Sequence, residues 1–552
     1  MPAMPVTPLT VVVETSPSPT ATPLVEPTTS PVASRLPLWP GTYRVWPWEK
    51  EKLTAADLPA SDGVVYPDWR KAGLSADLKP GSFSVEISEC GAIANDGEDD
   101  TFAFQEAVLK VVEKGGGSVL VGSGTWNVSA PVFIENDGVI LKGKGIDETA
   151  VVLAGNGQVR FVGDGAVDEA VALAEDAARG ARQLQLTGSV DWTAGDCVEL
   201  SQMPSAEWCA KAGIAPAKMW PWTVRVLVSG VLEKTVALDA ALRMPFSAKE
   251  NAKVRRVDVV RHCALESMSL VSGELPPVVL RNALECRLKN LRITQITGVA
   301  VDTQTAMRCE ISSLELSAAK KGRENRATFG WQRAWDCLAE NVKTEGLRYA
   351  PVFLGATGCV VRGSEFGGSG AVWEPGWSTE NLMENCVVRP RIDFGGHPVG
   401  LWLGPEGSGF SGPRNVIYNC ALVSSGPAVS LAGLNEAWIF MHNLLVSGGS
   451  AGFVASNGSF DLVLAANTFS LTKPVGPAML LLSRDCTGSQ VVGNQIYGAT
   501  SLAGGVIPPG LERDNTVTDV FVAADRPHPD IPSIFEYQRG KEPPAPEPKE
   551  EE

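Results

Sequence analysis

No basic block, no CxxC pair and no apolar run of about 18 residues occur in this chain, and histidine is scarce, with 4 in 552 residues. Each shortage removes a class of protein. Nucleic-acid binding draws on clustered Lys and Arg to displace counterions from phosphates, whereas here the formal net charge is −16 with no basic cluster to offset it. A membrane-spanning helix needs about 20 apolar residues in a row, which the chain does not contain. With 11 cysteines, an odd number lacking any CxxC, neither a zinc site nor a complete disulfide framework is expected. The opening MPAMPVTPLTVVVETSPSP has neither a charged start nor an apolar core of about 7 to 15 residues, so no signal peptide is read.

What is plentiful is glycine and tryptophan, 56 and 15 residues, which suits turn-rich β structure. Residues 1–35 are rich in Pro, Thr and Ser and bury too little apolar surface to fold, so they read as a disordered linker. Residues 36–83, with WPGTYRVWPWEK and VVYPDWRKAG, read as an extended arm on a larger body. Residues 84–163 begin that body, and 164–258 alternate like a small antiparallel sheet inserted into it, with SAEWCAKAGIAPAKMWPW as a loop or short helix. Residues 259–512 form a repeat, and 513–552 are a tail that ends in the disordered, acidic GKEPPAPEPKEEE.

The repeat appears when HCALESMSL, ECRLKNLRI, RCEISSLEL, DCLAENVKT, GCVVRGSEF, ENLMENCVV, RNVIYNCAL, WIFMHNLLV, LVLAANTF and SQVVGNQIY are aligned. One position then runs through Ser267, Asn290, Ser313, Asn341, Gly363, Asn385, Asn419, Asn443, Asn467 and Asn494, mostly in steps of 22 to 24 residues. A fixed period of this size marks a solenoid, because one rung cannot bury its own apolar residues without neighbours above and below. Asparagine at seven of the ten positions predicts an inward ladder of amides that satisfy one another at about 4.8 Å spacing. Cys263, Cys286, Cys309, Cys337 and Cys359 hold a second equivalent position, and Cys386 and Cys420 a third. Buried thiols pack as small hydrophobes, so inert interior stacks are expected.

The segment CGAIANDGEDDTFAFQEAVLKVVEKGGGSVLVGSGTWNVSAPVFIENDGVILKGKG predicts a helix capped at Asp99 or Asp100 with Thr101. Its apolar positions are Phe102, Ala103, Ala107, Val108 and Val111, and it ends at Gly115 to Gly117. Strands follow at Ser118 to Val121, Trp126 to Val128 and Val139 to Lys142. Over roughly Cys90 to Gly145 this resembles the N-terminal capping module of the pectate-lyase superfamily and of phage tailspike-like β-helices, with Gly122 standing where Pro is usual and Trp126 where Tyr is usual. The resemblance implies an all-β fold, a right-handed parallel β-helix with an N-terminal capping helix and a β-rich insertion. It also implies that Asp96, Glu98, Asp99 and Asp100 cap the helix and hold no metal. An extracellular or cell-envelope location is implied for the family, although this chain shows no signal peptide.

The resemblance makes a polysaccharide the expected partner. An acidic protein repels a polyanion at long range, so uronate recognition would need a local cluster of Arg. Two long steps mark where a groove would be furnished, 28 residues from Ser313 to Asn341 and 34 from Asn385 to Asn419. Around them Trp331, Trp335, Arg348, Tyr349, Trp373, Trp377, Glu380, Trp402 and Arg414 are the candidate substrate-binding residues, as aromatic platforms for sugar rings and as partners for hydroxyls. A glycoside hydrolase would pair Glu374 with Asp393 or Glu406, since it needs one protonated and one ionised carboxylate. A polysaccharide lyase would use Arg391 and His397 with Arg348 and Arg389, to neutralise a uronate and remove the adjacent proton.

The family's catalytic patterns are missing. The Asp, Asp-Asp and Gly-His-Gly set of polygalacturonase-like helices is absent. No cofactor is read from the residues, since the aspartates that hold calcium in pectate lyases form no cluster here, and the use of calcium is left open by the sequence. In GSGAVWEPGWSTENLMENC, relatives write Asp near Gly370 and His near Glu374, so a catalytically silent glycan-binding, structural or assembly protein is the alternative. Homo-oligomer formation, as in a trimeric tailspike-type adhesin, would require an extensive apolar side to the rod.

Overall fold

In the computed structural model, residues 53–212, 221–374, 376–391, 399–403, 411–432, 435–455, 459–472, 476–481, 488–504 and 512–540 are described. The Pro-rich ends, 1–35 and 541–552, lie outside them. The chain winds as a right-handed parallel β-solenoid of about 15 turns with 7% helix. Its longest sheet stacks Phe83–Glu86, Gly117–Leu120, Val139–Lys142 and Ala264–Val271, then Arg287–Ile296, Glu310–Ala318 and Leu338–Glu345, and continues in short strands to Thr516–Thr518. A second parallel sheet of eight strands runs from Thr328–Gln332 through Tyr349–Leu354, Gly370–Glu374 and Leu401–Leu403 to Ser501–Gly504.

In the five rungs from Asn282 to Asn385 the corners fall at three recurring positions, each held by a single left-handed residue. Arg333, Asp336 and Asn341 have φ of 48°, 49° and 53°, and one rung later glycine takes all three places, at Gly355, Gly358 and Gly363. Such residues turn the chain while leaving its flanks free to pair with neighbouring rungs, at a cost of about 1 to 2 kcal/mol for each residue with a Cβ.

Register separates the expected single ladder into two. Ser267, Asn290, Ser313, Asn341, Gly363, Asn385 and Asn419 are left-handed corner residues, and their equivalents in later rungs are His442, Ala466 and Gly493. Asn443, Asn467 and Asn494 sit one residue further on, facing inward and buried, in the position that Cys386 and Cys420 occupy in earlier rungs. The third cysteine position and the inner asparagine ladder are therefore one column. In it the backbone N–H and Nδ2 of Asn443 donate to Asn467 Oδ1 at 2.9 and 3.0 Å, Asn467 repeats both bonds to Asn494, and Asn494 repeats them to Asn515. Each Nδ2 also donates to a strand carbonyl, such as Asn467 to Phe440 O at 2.9 Å. The first cysteine column likewise passes into amides: Cys359 N–H donates to Asn381 Oδ1, and Asn381 Nδ2 to Asn415 Oδ1. All seven stacked cysteines are buried free thiols.

The N-terminal end is closed by the helix Thr101–Glu113. Asp99 accepts from Thr101 and Ser129, and Asp100 from the Ile93 and Asn127 amides, so both carboxylates are occupied in organising the cap. Phe104, with Ala103, Ala107, Val108 and Val111, faces the core, whereas Phe102 is 77% exposed. The helix is rotated relative to the expected face because Phe104, and not Phe102, lies on the same stripe as Ala107 and Val111.

Between Val162 and Val260 an antiparallel sheet is built from Cys197–Gln202, Trp222–Leu232, Thr235–Leu238 and Lys253–Asp258 with shorter edge strands, and the helix Ala206–Ala212 lies within it. On another side, the outward residues Leu338, Val360, Leu382, Val416, Ile439 and Val463 make an apolar stripe along the rungs. Tyr66 and Trp69 of the N-terminal arm cover it, together with Ile534 and Phe535 of the C-terminal helix Ile534–Gln538. That helix is held by Glu384, whose carboxylate accepts from Ser533 Oγ and from the amides of Ile534 and Phe535.

Candidate functional site

Residues of a strand alternate in facing, and in the second sheet this parity decides what each aromatic does. Trp331, Phe353 and Trp373 share one register row and point inward, with the Phe353 and Trp373 rings stacked at 4.3 Å. Val352, Val372 and Trp402 form the adjacent row, which points outward. Trp331 and Trp373 are therefore core residues with no face for a ligand.

Four more expected binding residues are also buried, each in a contact that joins segments of the chain. Trp335 donates its indole N–H to Thr223 O of the antiparallel sheet at 2.9 Å, beneath Arg225. Trp377 packs against Trp208 and Trp222 with centroids at 4.9 and 4.4 Å. Glu380 accepts from Arg179 at 2.8 Å and from Arg243 at 3.1 Å, and Arg414 donates to Asp57 at 2.6 Å. With Asp336 on Arg243, three guanidiniums and three carboxylates form a neutral buried network joining the arm, the antiparallel sheet and the solenoid. Burial alone would raise the Asp57 carboxyl, but the Arg414 and Arg179 guanidiniums outweigh it and hold Asp57 well below the ordinary aspartate range.

The remaining candidates lie at the surface. Tyr349 and Trp402, both half-buried, stack at 6.0 Å with 28° between their planes, and Arg348 lies over the Tyr349 ring at 5.2 Å. Glu374 is half-buried at the far end of its strand, where burial raises its carboxyl above the ordinary range. Arg391 is exposed. Asp393, His397 and Glu406 lie outside the described residues, so the proposed carboxylate pairs have no measurable separation.

A cleft of about 730 Å³ opens where the longest sheet ends. Its outward column is Glu345, Gly367, Arg389, Val423 and Val446 in successive rungs. Gly367 and Gly368 leave the floor as bare backbone between Glu345 on one rim and Arg389 on the other, about 10 Å away along the axis. Gly448 extends that floor, and a Cβ there would fall 2.9 Å from Ser425 O. Glu345 and Arg389 are exposed and make no ion pair among the described residues, and Arg391 adds a second guanidinium. Only Ser369 separates Gly368 from Gly370, which pairs with Tyr349, so the Tyr349–Trp402 stack adjoins the cleft across one corner. Glu345 was not among the residues singled out from sequence, although it stands four residues after Asn341, as Arg389 does after Asn385. Among the described residues no group of three or more His, Cys, Asp or Glu could hold a metal.

These features define a parallel β-helix protein with an open, arginine-bearing cleft beside an aromatic stack. Among solved structures, the tailspike protein gp49 from Pseudomonas phage LKA1 shares the fold at 14% identity, over 76% of this chain and 76% of its own, with a TM-score of 0.57. The Pseudomonas phage phi297 tailspike gp61 does so at 13% identity, over 76% and 80%, with a TM-score of 0.50. No family model and no curated protein matches the chain.

Proposed function

We propose that this is a carbohydrate-acting β-helix protein that takes an acidic polysaccharide in the cleft between Glu345 and Arg389. The observation that carries the reading is the paired guanidiniums of Arg389 and Arg391 on a glycine floor, in a protein whose formal net charge is −16. A uronate would be neutralised there by bidentate Arg contacts, and the Tyr349–Trp402 stack offers an adjoining ring platform. The resemblance of its cap to the pectate-lyase superfamily supports the substrate class. In a lyase, Glu345 would be the base and the arginines would stabilise the enolate that develops on the uronate. A hydrolase would require a second carboxylate in the cleft, and among the described lining residues Glu345 is the single one.

The test is incubation with neutral and uronate polysaccharides, reading new reducing ends and the absorbance of unsaturated uronates. Absorbance growth on uronates, abolished by Glu345→Gln, supports the lyase. Reducing ends without absorbance support a hydrolase. Arg389→Ala should weaken uronate binding by about 10-fold or more, since a charge-assisted contact is worth about 1.5 to 3 kcal/mol. Binding without turnover would favour the silent relative, a reading motivated by the burial of Trp331, Trp335, Trp373, Trp377, Glu380 and Arg414. No uronate binding at all would sink the proposal.

A further inference from the structure

A second cavity, of about 430 Å³, lies at the opposite end of the same rungs, where the arm, the antiparallel sheet, the solenoid and the C-terminal helix meet. Asp336 on its wall and Glu345 on the cleft rim bracket one strand, so the two sites are on the order of 25 Å apart.

Six cations line it: Arg70, Lys71, Arg182, Arg243, Arg308 and Arg539. Against them stand three carboxylates, and each is already engaged. Asp68 takes Arg70 in a two-pronged contact at 3.0 and 2.8 Å, Asp336 takes Arg243, and Asp239 is shared between Arg308 at 2.6 Å and Lys71 at 3.2 Å. Arg182 has no ion pair or side-chain hydrogen bond among the described residues, and Arg539 reaches a carbonyl, Leu74 O, but no carboxylate. Arg308 is the decisive residue. Its side chain is 4% exposed, yet its Nε has no hydrogen-bond partner. A buried guanidinium N–H left unpaired costs about 1 to 3 kcal/mol, and the guanidinium that carries it belongs to the wall of this cation-rich cavity, where an oxyanion would be held by charge-assisted contacts.

We propose that this cavity binds a compact oxyanion, a phosphate or carboxylate on a carrier no larger than about one monosaccharide, since its volume lies at the lower end of ligand pockets. Arg182 and Arg308 hold the anion, and the Ala55, Ala56, Ala240 and Ala241 side chains give an apolar wall to the carrier. Because the ligand touches the arm, the antiparallel sheet and the solenoid together, its binding also clamps these segments to one another.

The experiment is calorimetric titration of the full chain, at constant ionic strength, with inorganic phosphate, with galacturonate and with glucose, alongside Arg182→Ala, Arg308→Lys and Arg389→Ala. Arg182 is exposed, so its variant keeps the fold, and thermal melting of all three variants checks this. Saturable binding at one site per chain is expected for phosphate, and for galacturonate measured in the Arg389→Ala background that disables the cleft, and adding Arg182→Ala weakens either about 10-fold or more. The preferred probe separates a phosphate ligand from an acidic sugar. Absence of saturable anion binding in the millimolar range, equal binding of glucose, or binding that survives both Arg182→Ala and Arg308→Lys in that Arg389→Ala background overturns the proposal. Loss of binding only in Arg389→Ala assigns it to the cleft and overturns it as well.

Discussion

At the scale of single residues, the difference between a ligand contact and a structural one is set by burial and pairing. Glu380 and Arg414 have the chemistry of sugar-binding residues, but both are sealed in the network that ties the arm and the antiparallel sheet to the solenoid. Removing one member leaves a buried opposite charge uncompensated, so Glu380→Ala should lower stability by about 3 to 5 kcal/mol, read by denaturant unfolding. Asp57 gives the network a pH signature. Its folded-state carboxyl sits below the unfolded one, so as pH falls the unfolded chain takes up the proton first. The stability it contributes is complete above the ordinary aspartate range and is lost progressively below it. Asp57→Asn should therefore be less stable than wild type at neutral pH, and its melting temperature should fall less between about pH 5 and pH 3. An equal fall in both would show that Asp57 titrates normally.

At the scale of elements, the inner amide column replaces sulfur and aliphatic side chains with groups that must all be satisfied. Asn467 accepts two bonds from Asn443 and donates to Phe440 O and Asn494. Asn467→Ala strands the buried N–H groups of Asn443 and the Phe440 carbonyl, all on the preceding rung, at about 1 to 3 kcal/mol each. The expected loss is about 3 kcal/mol or more, and urea unfolding measures it. Cys309→Ala, which removes only a small packed group from the other column, should cost clearly less. The sequence repeat revealed that such columns exist but joined two of them. Asn419 and Asn443 differ by 24 residues, a step inside the observed range, while strand pairing sets Asn419 opposite His442. One residue of slip is invisible in a period that varies by two, yet it turns every side chain from the corner to the core.

For the whole molecule, the apolar stripe from Leu338 to Val463 is the surface on which association would most readily occur, and the chain covers it with its own two ends. The C-terminal segment returns along the rungs, with Arg526 donating to Asn419 O, Tyr418 to Ile531 O, and Gln538 to Pro67 O on the arm. Deleting residues 526–552 should expose Tyr418 and its apolar neighbours and drive self-association, seen as earlier elution of the truncated chain in size-exclusion chromatography. Unchanged elution would mean that the arm alone suffices to cover the stripe.

Within one chain, the sequence by itself determined what depends on local pattern. The repeat period, the cap helix with its carboxylates and closing glycines, the alternating strands of the antiparallel sheet and the interior cysteine stacks all follow from residue spacing and side-chain chemistry. Facing and neighbourhood were decided by the tertiary structure. Trp331 and Trp402 are alike in sequence, but one is core and the other surface, because strand pairing sets their parity. Glu345, Gly367 and Arg389 form a cleft because successive rungs lie about 4.8 Å apart, which brings residues 22 positions distant in sequence into contact. Asp57 meets Arg414 across 357 residues, a distance over which no local spacing carries information about contact.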